Sequence, residues 1–236
     1  MSVFHFKQFT VDQSGCAMKI NTDGVLLGAM ATADFPMRML DVGAGTGVIS
    51  LMLAQRFPLA MVDAIEIDTM AASTTRRNFE RSPFRDRLTS HAIALSEFEP
   101  KAGYDLIVSN PPFFLGSLRN ADSRKGIARH TDMNFFDQLL ARSKQWLSPD
   151  GYLQMILPTS MAARVEERAF LDYGLALRAS TAIRSFSSHP PIRQVLFLSR
   201  ATGPEARNEA EFIIYDRRGV YSAAYRKLLG PFFLAF

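Results

Sequence analysis

Apolar residues fall in short runs that alternate with segments of helical spacing along most of the chain. Runs at about 38–42, 62–66, 88–93, 104–109 and 152–157 have the length and β-branched content of buried strands. Between them, about 47–56, 69–81, 134–147 and 161–173 carry apolar residues at three- and four-residue intervals, as helices with one buried face do. Strands alternating with helical segments predict a parallel sheet wound on both sides. The last third reads differently. Segments at about 177–186, 194–200 and 211–216 are strand-like with short connections, which predicts an antiparallel end to the sheet. Residues 1–36 precede the alternation, and Thr22 to Ala33 among them has helical composition, so the chain divides into an N-terminal extension, 1–36, and a main domain, 37–236.

Chemistry concentrates where two of these strands end. Met39-Leu40-Asp41-Val42 runs into Gly43-Ala44-Gly45-Thr46-Gly47, and a helix follows. Such a corner lets backbone pass close to a ligand and turns the free N–H groups of a first helical turn toward it. A dinucleotide fingerprint would need a third glycine at position 48, which is Val48. An acid instead leads the glycines. Asp41 repels a pyrophosphate but suits a ligand with an ammonium and a sulfonium, which favours S-adenosylmethionine over NAD. Glu66, about twenty residues on at the tip of the next strand, is placed to accept both ribose hydroxyls.

The fourth strand ends in Asn110-Pro111-Pro112-Phe113. The four residues read either as a strand-ending turn or as a clamp for a planar amine. In the clamp, the Asn110 side-chain oxygen and the Pro111 carbonyl each accept a hydrogen from an exocyclic NH2 group, and Phe113 stacks on its ring.

With these pieces in order, the chain resembles the class I (Rossmann-like) methyltransferases that methylate amines, whose signature is an N/D/S-P-P-aromatic turn after the fourth strand. The opening narrows the likeness. Phe6-Lys7-Gln8-Phe9-Thr10-Val11 and Cys16 to Gly28 (CAMKINTDGVLLG) resemble the start of the bacterial tRNA(Val)-specific adenine-N6 methyltransferases, and Arg129-His130 and the closing Phe232 to Phe236 are similar too. The resemblance implies a single-domain α/β fold with a doubly wound, mostly parallel seven-stranded sheet whose seventh strand is inserted antiparallel. It implies S-adenosylmethionine as methyl donor and the adenine just 3′ of the anticodon as acceptor. It also implies that Lys19, Thr22 and Asp23 cover the methionine end of the cofactor, with the extension packed on that site. One departure stands out. The acid such enzymes carry after the third strand, facing the cofactor's adenine amine, is replaced by Ala94.

Charge adds a partner. Residues 1–159 carry 16 basic and 16 acidic side chains, whereas 160–236 carry 11 against 7, so the net +4 lies entirely in the last third. Arg119, Arg124, Lys125 and Arg129 with His130 form a basic segment directly after the Asn110 turn, and Arg193 is a further candidate for holding RNA phosphates. A second segment packs Arg76, Arg77, Arg81, Arg85 and Arg87. Charge runs also arise as solvated faces.

Composition excludes other classes. The longest apolar stretch, near Met39 to Ala54, is broken by Asp41 and three glycines, and the N-terminus has no signal-peptide pattern. One cysteine, Cys16, permits neither an internal disulfide nor a zinc-type cluster. A cytoplasmic, metal-free protein without membrane contact is expected, with a monomer as default. The rival activities are N5-methylation of a protein glutamine, guanine-N2 methylation of ribosomal RNA, DNA adenine methylation, and binding of S-adenosylmethionine or RNA without transfer.

Overall fold

The computed structural model describes residues 3–111, 125–201 and 207–236, with the side chains of 125–132 left aside. In chain order the elements are β1 (Val3–His5), β2 (Thr10–Asp12), α1 (Thr22–Met30), β3 (Arg38–Val42), α2 (Val48–Arg56), β4 (Met61–Glu66), α3 (Thr69–Glu80), β5 (Leu88–Ala92) and β6 (Tyr104–Ser109). There follow α4 (Lys125–Trp146), β7 (Leu147–Pro158), α5 (Thr159–Tyr173), β8 (Leu175–Arg184), β9 (Arg193–Arg200), β10 (Asn208–Ile213), β11 (Tyr215–Arg217), β12 (Val220–Tyr221) and α6 (Ala223–Leu229).

Among the described residues, a central sheet of eight strands, in the order β10-β8-β9-β7-β6-β3-β4-β5, carries the molecule. Its strands alternate apolar side chains between two buried faces, as a sheet covered on both sides requires. Met39, Val62, Leu106, Ile156 and Val195 pack with α1, α2 and α6 in one core. Their neighbours Leu40, Ile65, Ile107, Leu157 and Leu196 face the other way, onto α4 and α5.

Seven strands follow the expected pattern, with β9 antiparallel to both β7 and β8. The strand-like segment near 211–216 supplies an eighth, one more than the seven the resemblance implies. β10 adds to the edge parallel to β8, so the antiparallel end is confined to β9. Two boundaries also move. β7 begins at Leu147 because that residue pairs with Tyr104; the Pro149-Asp150-Gly151 turn is then taken up by a register shift before Leu106 meets Tyr152. α4 begins at Lys125, well before the expected start, because its polar opening KGIARHTD has no apolar stripe to announce a helix.

Among the described residues, every strand of the central sheet but β9 points its carboxyl end to one edge, and the registers align the key residues there. Val42 lies opposite Ile65 on one side and Ser109 on the other. One residue further on, Gly43 is therefore flanked by Glu66 and Asn110. Residues 3–36 reach this edge over α3 and α6. Phe6 bridges to Phe233, and Lys7 Nζ donates to the carbonyls of Gly230 (2.7 Å) and Phe236 (2.6 Å). Gln154, buried in β7, exchanges hydrogen bonds with the backbone of Thr32, and Arg56 donates to the carbonyls of Gly28 and Ala31, which caps α1.

Candidate active site

The glycine corner owes its shape to three left-handed residues, Gly43 (φ 76°), Gly45 (φ 57°) and Gly47 (φ 78°). Their surroundings differ. A Cβ on Gly43 or Gly45 would meet nothing within 4 Å, so open space lies before both. On Gly47 it would lie 2.7 Å from Phe79 and 2.9 Å from Thr75. Gly47 is required for packing of α3 against the start of α2; the first two leave a hollow.

Glu66 closes one side of that hollow. Its two carboxylate oxygens accept from the backbone N–H of Gly45 and of Asp68, each at 2.9 Å, which fixes the side chain and leaves further lone pairs on both. Asp68 caps α3 by accepting from Met70 (2.8 Å) and Ala71 (3.3 Å). Asp41 lies beneath, fully buried. The Ser50 N–H (3.1 Å) and hydroxyl (2.7 Å) both donate to its Oδ2, while Oδ1 is buried with no partner among the described residues. Loss of water pushes its carboxyl up to about 6, the Ser50 bonds working against that shift and the Glu66 charge adding to it.

On the other side, the Ser109 hydroxyl donates to the Val42 carbonyl (2.9 Å), which ties the end of β6 to the end of β3. Asn110 follows, half-buried, and Pro111 is buried. The first turn of α1 leans on it: a Cβ on Gly24 would be 3.5 Å from Asn110 Nδ2. Asn21 caps that turn by accepting from Gly24 N–H at 2.9 Å. Asp23 and Arg193 form an ion pair of 2.7 Å, joining α1 to the start of β9. Lys19 and Thr22 are exposed nearby in sequence. Pro112, Phe113, Arg119 and Arg124 lie outside the described residues. Lys125, Arg129 and His130 fall in the first turns of α4, with side chains likewise outside them.

Sequence reasoning missed the bracing behind the corner. Asn78, buried on α3, donates from Nδ2 to the carbonyls of Thr46 and Asp12 (both 2.9 Å), and its Oδ1 accepts from Asp12 N–H (2.9 Å). The Thr75 hydroxyl and the Cys16 thiol both donate to the Gly45 carbonyl, at 2.7 and 3.4 Å. Burial pushes the Cys16 thiol up, so it stays protonated and structural. The signal was present only as polar residues, Thr75 and Asn78, at three-residue spacing on an inward helix face. A second revision concerns the basic segment around α3. Arg87 donates to the carbonyls of Ala54, Phe57 and Ala60, closing the end of α2, and Arg77 is bonded to Ser73 and Thr74. At Ala94 the carbonyl already accepts from Glu97 (3.0 Å) and Phe98 (3.1 Å).

A doubly wound sheet with one reversed strand, an acid-led glycine corner and an Asn-Pro turn beside it defines a class I methyltransferase. A family model described as the methyltransferase small domain matches residues 20–173, and the fold is shared with solved methyltransferases. These include a predicted O-methyltransferase from Agrobacterium tumefaciens (TM-score 0.67, 16% identity, 89% of this chain and 96% of that one) and a ribosomal protein L11 methylase from Lactobacillus delbrueckii (TM-score 0.56, 16% identity, 81% and 84%). The particular family is set by closer relatives. A tRNA1(Val) (adenine(37)-N6)-methyltransferase of Pedobacter heparinus is 48% identical over 235 residues, 100% of this chain and 99% of the relative. One of Aeromonas hydrophila is 39% identical, covering 99% and 98%. The chain belongs to the tRNA1(Val) (adenine(37)-N6)-methyltransferase family.

Proposed function

We propose that the chain transfers a methyl group from S-adenosylmethionine to the N6 amine of an adenine in tRNA, the adenine 3′ of a valine tRNA's anticodon. The observation that carries this reading is the flanking of Gly43 by Glu66 and Asn110, which puts a ribose acceptor and an amine acceptor on either side of one open hollow. The residues fit the cofactor. The hollow before Gly43 and Gly45 admits it, Glu66 keeps lone pairs for ribose hydroxyls, and the unpartnered Asp41 Oδ1 suits an ammonium, met directly or through water. Lys19, Thr22 and Asp23, with the rest of residues 1–36, cover the methionine end. When bound, S-adenosylmethionine supplies an electrophilic methyl group on sulfur.

The chain's own work is orientation. The target adenine swings out of its stack at a cost of a few kcal/mol. Stacking on Phe113 returns about 1–3 kcal/mol of that. The Asn110 side-chain oxygen and the Pro111 carbonyl take the two amine hydrogens, and Pro112 stiffens the corner. A carboxamide has no useful basicity near neutral pH, and an aniline-like amine attacks without first losing a proton. Asn110 therefore aims the lone pair and stabilises positive charge developing on nitrogen. Arg119, Arg124, Lys125, Arg129, His130 and Arg193 hold phosphates; for Arg193 this is shared with its Asp23 partner. The cytoplasm, where tRNA is modified, is the place of action.

Asn110→Ala tests the reading. Turnover in a tritiated-methyl assay falls at least about 100-fold, the size of losing one preorganised hydrogen-bond partner of a developing charge, while calorimetric cofactor affinity stays within a few-fold. An active Asn110→Ala enzyme overturns the clamp.

A further inference from the structure

The sheet edge that carries Asn110 continues past β9 to a second surface. β8 and β10 run in the direction of β7, so their carboxyl ends share that edge. Three to four strand spacings separate them from β6, roughly 14–19 Å. Just beyond those ends lie Phe186 and His189 after β8, and the β11–β12 hairpin after β10. The backbone joins these pieces: Tyr215 N–H donates to the Ser185 carbonyl (2.9 Å).

Aromatic rings continue the joint outward from the core. Buried Tyr225 stacks on Tyr221 (4.5 Å, 6° between planes), Tyr221 on Tyr215 (5.0 Å, 22°), and Tyr215 meets Phe186 at 5.6 Å. Phe186 meets His189 at 5.1 Å. Exposure grows along the ladder, from Tyr225 at 3% through half-buried Tyr221, Tyr215 and Phe186 to exposed His189. At the hairpin tip, Arg217 and Arg218 are exposed, and Gly219 (φ 78°) makes the tight reversal. Neither arginine has an ion-pair partner among the described residues. Three other arginines of this third are engaged: Arg184 with Glu211 (2.7 Å), Arg193 with Asp23 (2.7 Å) and Arg207 with Glu166 (2.8 Å). Only Asp216 intervenes in sequence at the tip, so the local balance is positive, within the third of the chain that holds the whole net charge.

Resting on the RNA reading above, we infer that this hairpin is a second docking surface for the tRNA backbone. Arg217 and Arg218 hold phosphates at a fixed distance from the reacting adenine, and Phe186 offers the outer ring of the ladder to an unstacked base or a ribose. Phosphate contacts of this kind set register without reading sequence, and an aromatic ladder anchored in the core supplies the rigidity that register needs. The surface accounts for charge placed at the far end of the sheet from the cofactor, where it serves neither the fold nor the methyl donor.

The test compares the wild-type enzyme with Arg217→Ala/Arg218→Ala, using unmodified tRNA over a range of salt. The double variant is expected to keep its melting temperature and cofactor affinity, while Kd and KM for tRNA rise about tenfold. Its plot of log K against log salt loses about two units of slope, one for each phosphate contact removed. Arg217→Lys/Arg218→Lys restores the slope, since lysine keeps the charge. A double alanine variant with wild-type KM and wild-type salt slope overturns the docking surface. If wild-type enzyme moves no methyl group to tRNA, the functional reading fails first and the docking surface with it; transfer by wild type with an unaffected variant removes the docking surface alone.

Discussion

On the Glu66 side of Gly43, polar groups are tied to the framework: Glu66 to two backbone N–H groups, Asp41 to Ser50, and the glycine corner to Asn78, Thr75 and Cys16. On the Asn110 side, the bonds found among the described residues are the Ser109 tie to Val42 and the Asp23–Arg193 pair, and Asn110 itself is half-buried. The difference follows from the two partners. A small cofactor is the same at every turnover and rewards a cavity built in advance. A large polyanion is gathered by exposed charge and stacking, and only its reacting amine needs fixed acceptors.

Substitutions sharpen this contrast by striking the fixed half in different ways. The largest loss of stability is expected from Gly47→Ala, which forces an L side chain to φ 78° and drives a Cβ to 2.7 Å from Phe79. Left-handed strain and overpacking together cost about 3–4 kcal/mol, read as a fall in urea midpoint. A midpoint within error of wild type would show that the corner is not rigid. Glu66→Ala is next. Loss of two charge-assisted bonds to ribose weakens cofactor affinity by about 2–3 kcal/mol, roughly 100-fold by calorimetry, and unchanged affinity would place the ribose elsewhere.

Asp41 gives a graded, pH-dependent effect that is the most diagnostic. Its carboxyl sits at about 6 in the fold against 3.8 for a free aspartate, because burial disfavours the charged form. A raised carboxyl contributes stability that is complete below about pH 4 and is lost as pH rises through 6. The loss is about 3 kcal/mol. Asp41→Asn flattens this slope in urea titrations between pH 4 and 7. An ammonium beside Asp41 favours the carboxylate, so wild-type cofactor affinity increases over the same interval, and the asparagine variant lacks that increase. Parallel pH profiles for the two proteins would remove Asp41 from the cofactor's surroundings.

The same contrast explains what was legible in the sequence. The alternating core was readable because strands buried on both faces appear as apolar runs, and the corner because glycines and acids stood at fixed spacing. β10 was harder. Its pattern reveals a strand but not a direction, which depends on β8 already being in place. Asn78 and Thr75 carry no motif; they became visible only when α3 was laid against the glycine corner. Arg87 misled for the opposite reason, since a charge in a basic run looks solvated until the carbonyls at the end of α2 are found around it.

Nucleoside mass analysis reads out directly whether the methyl group goes to the N6 amine proposed to be held by Asn110 and Pro111. Unmodified tRNA incubated with this enzyme and labelled S-adenosylmethionine should yield label in N6-methyladenosine. Label in any other base, or in protein alone, would contradict the account.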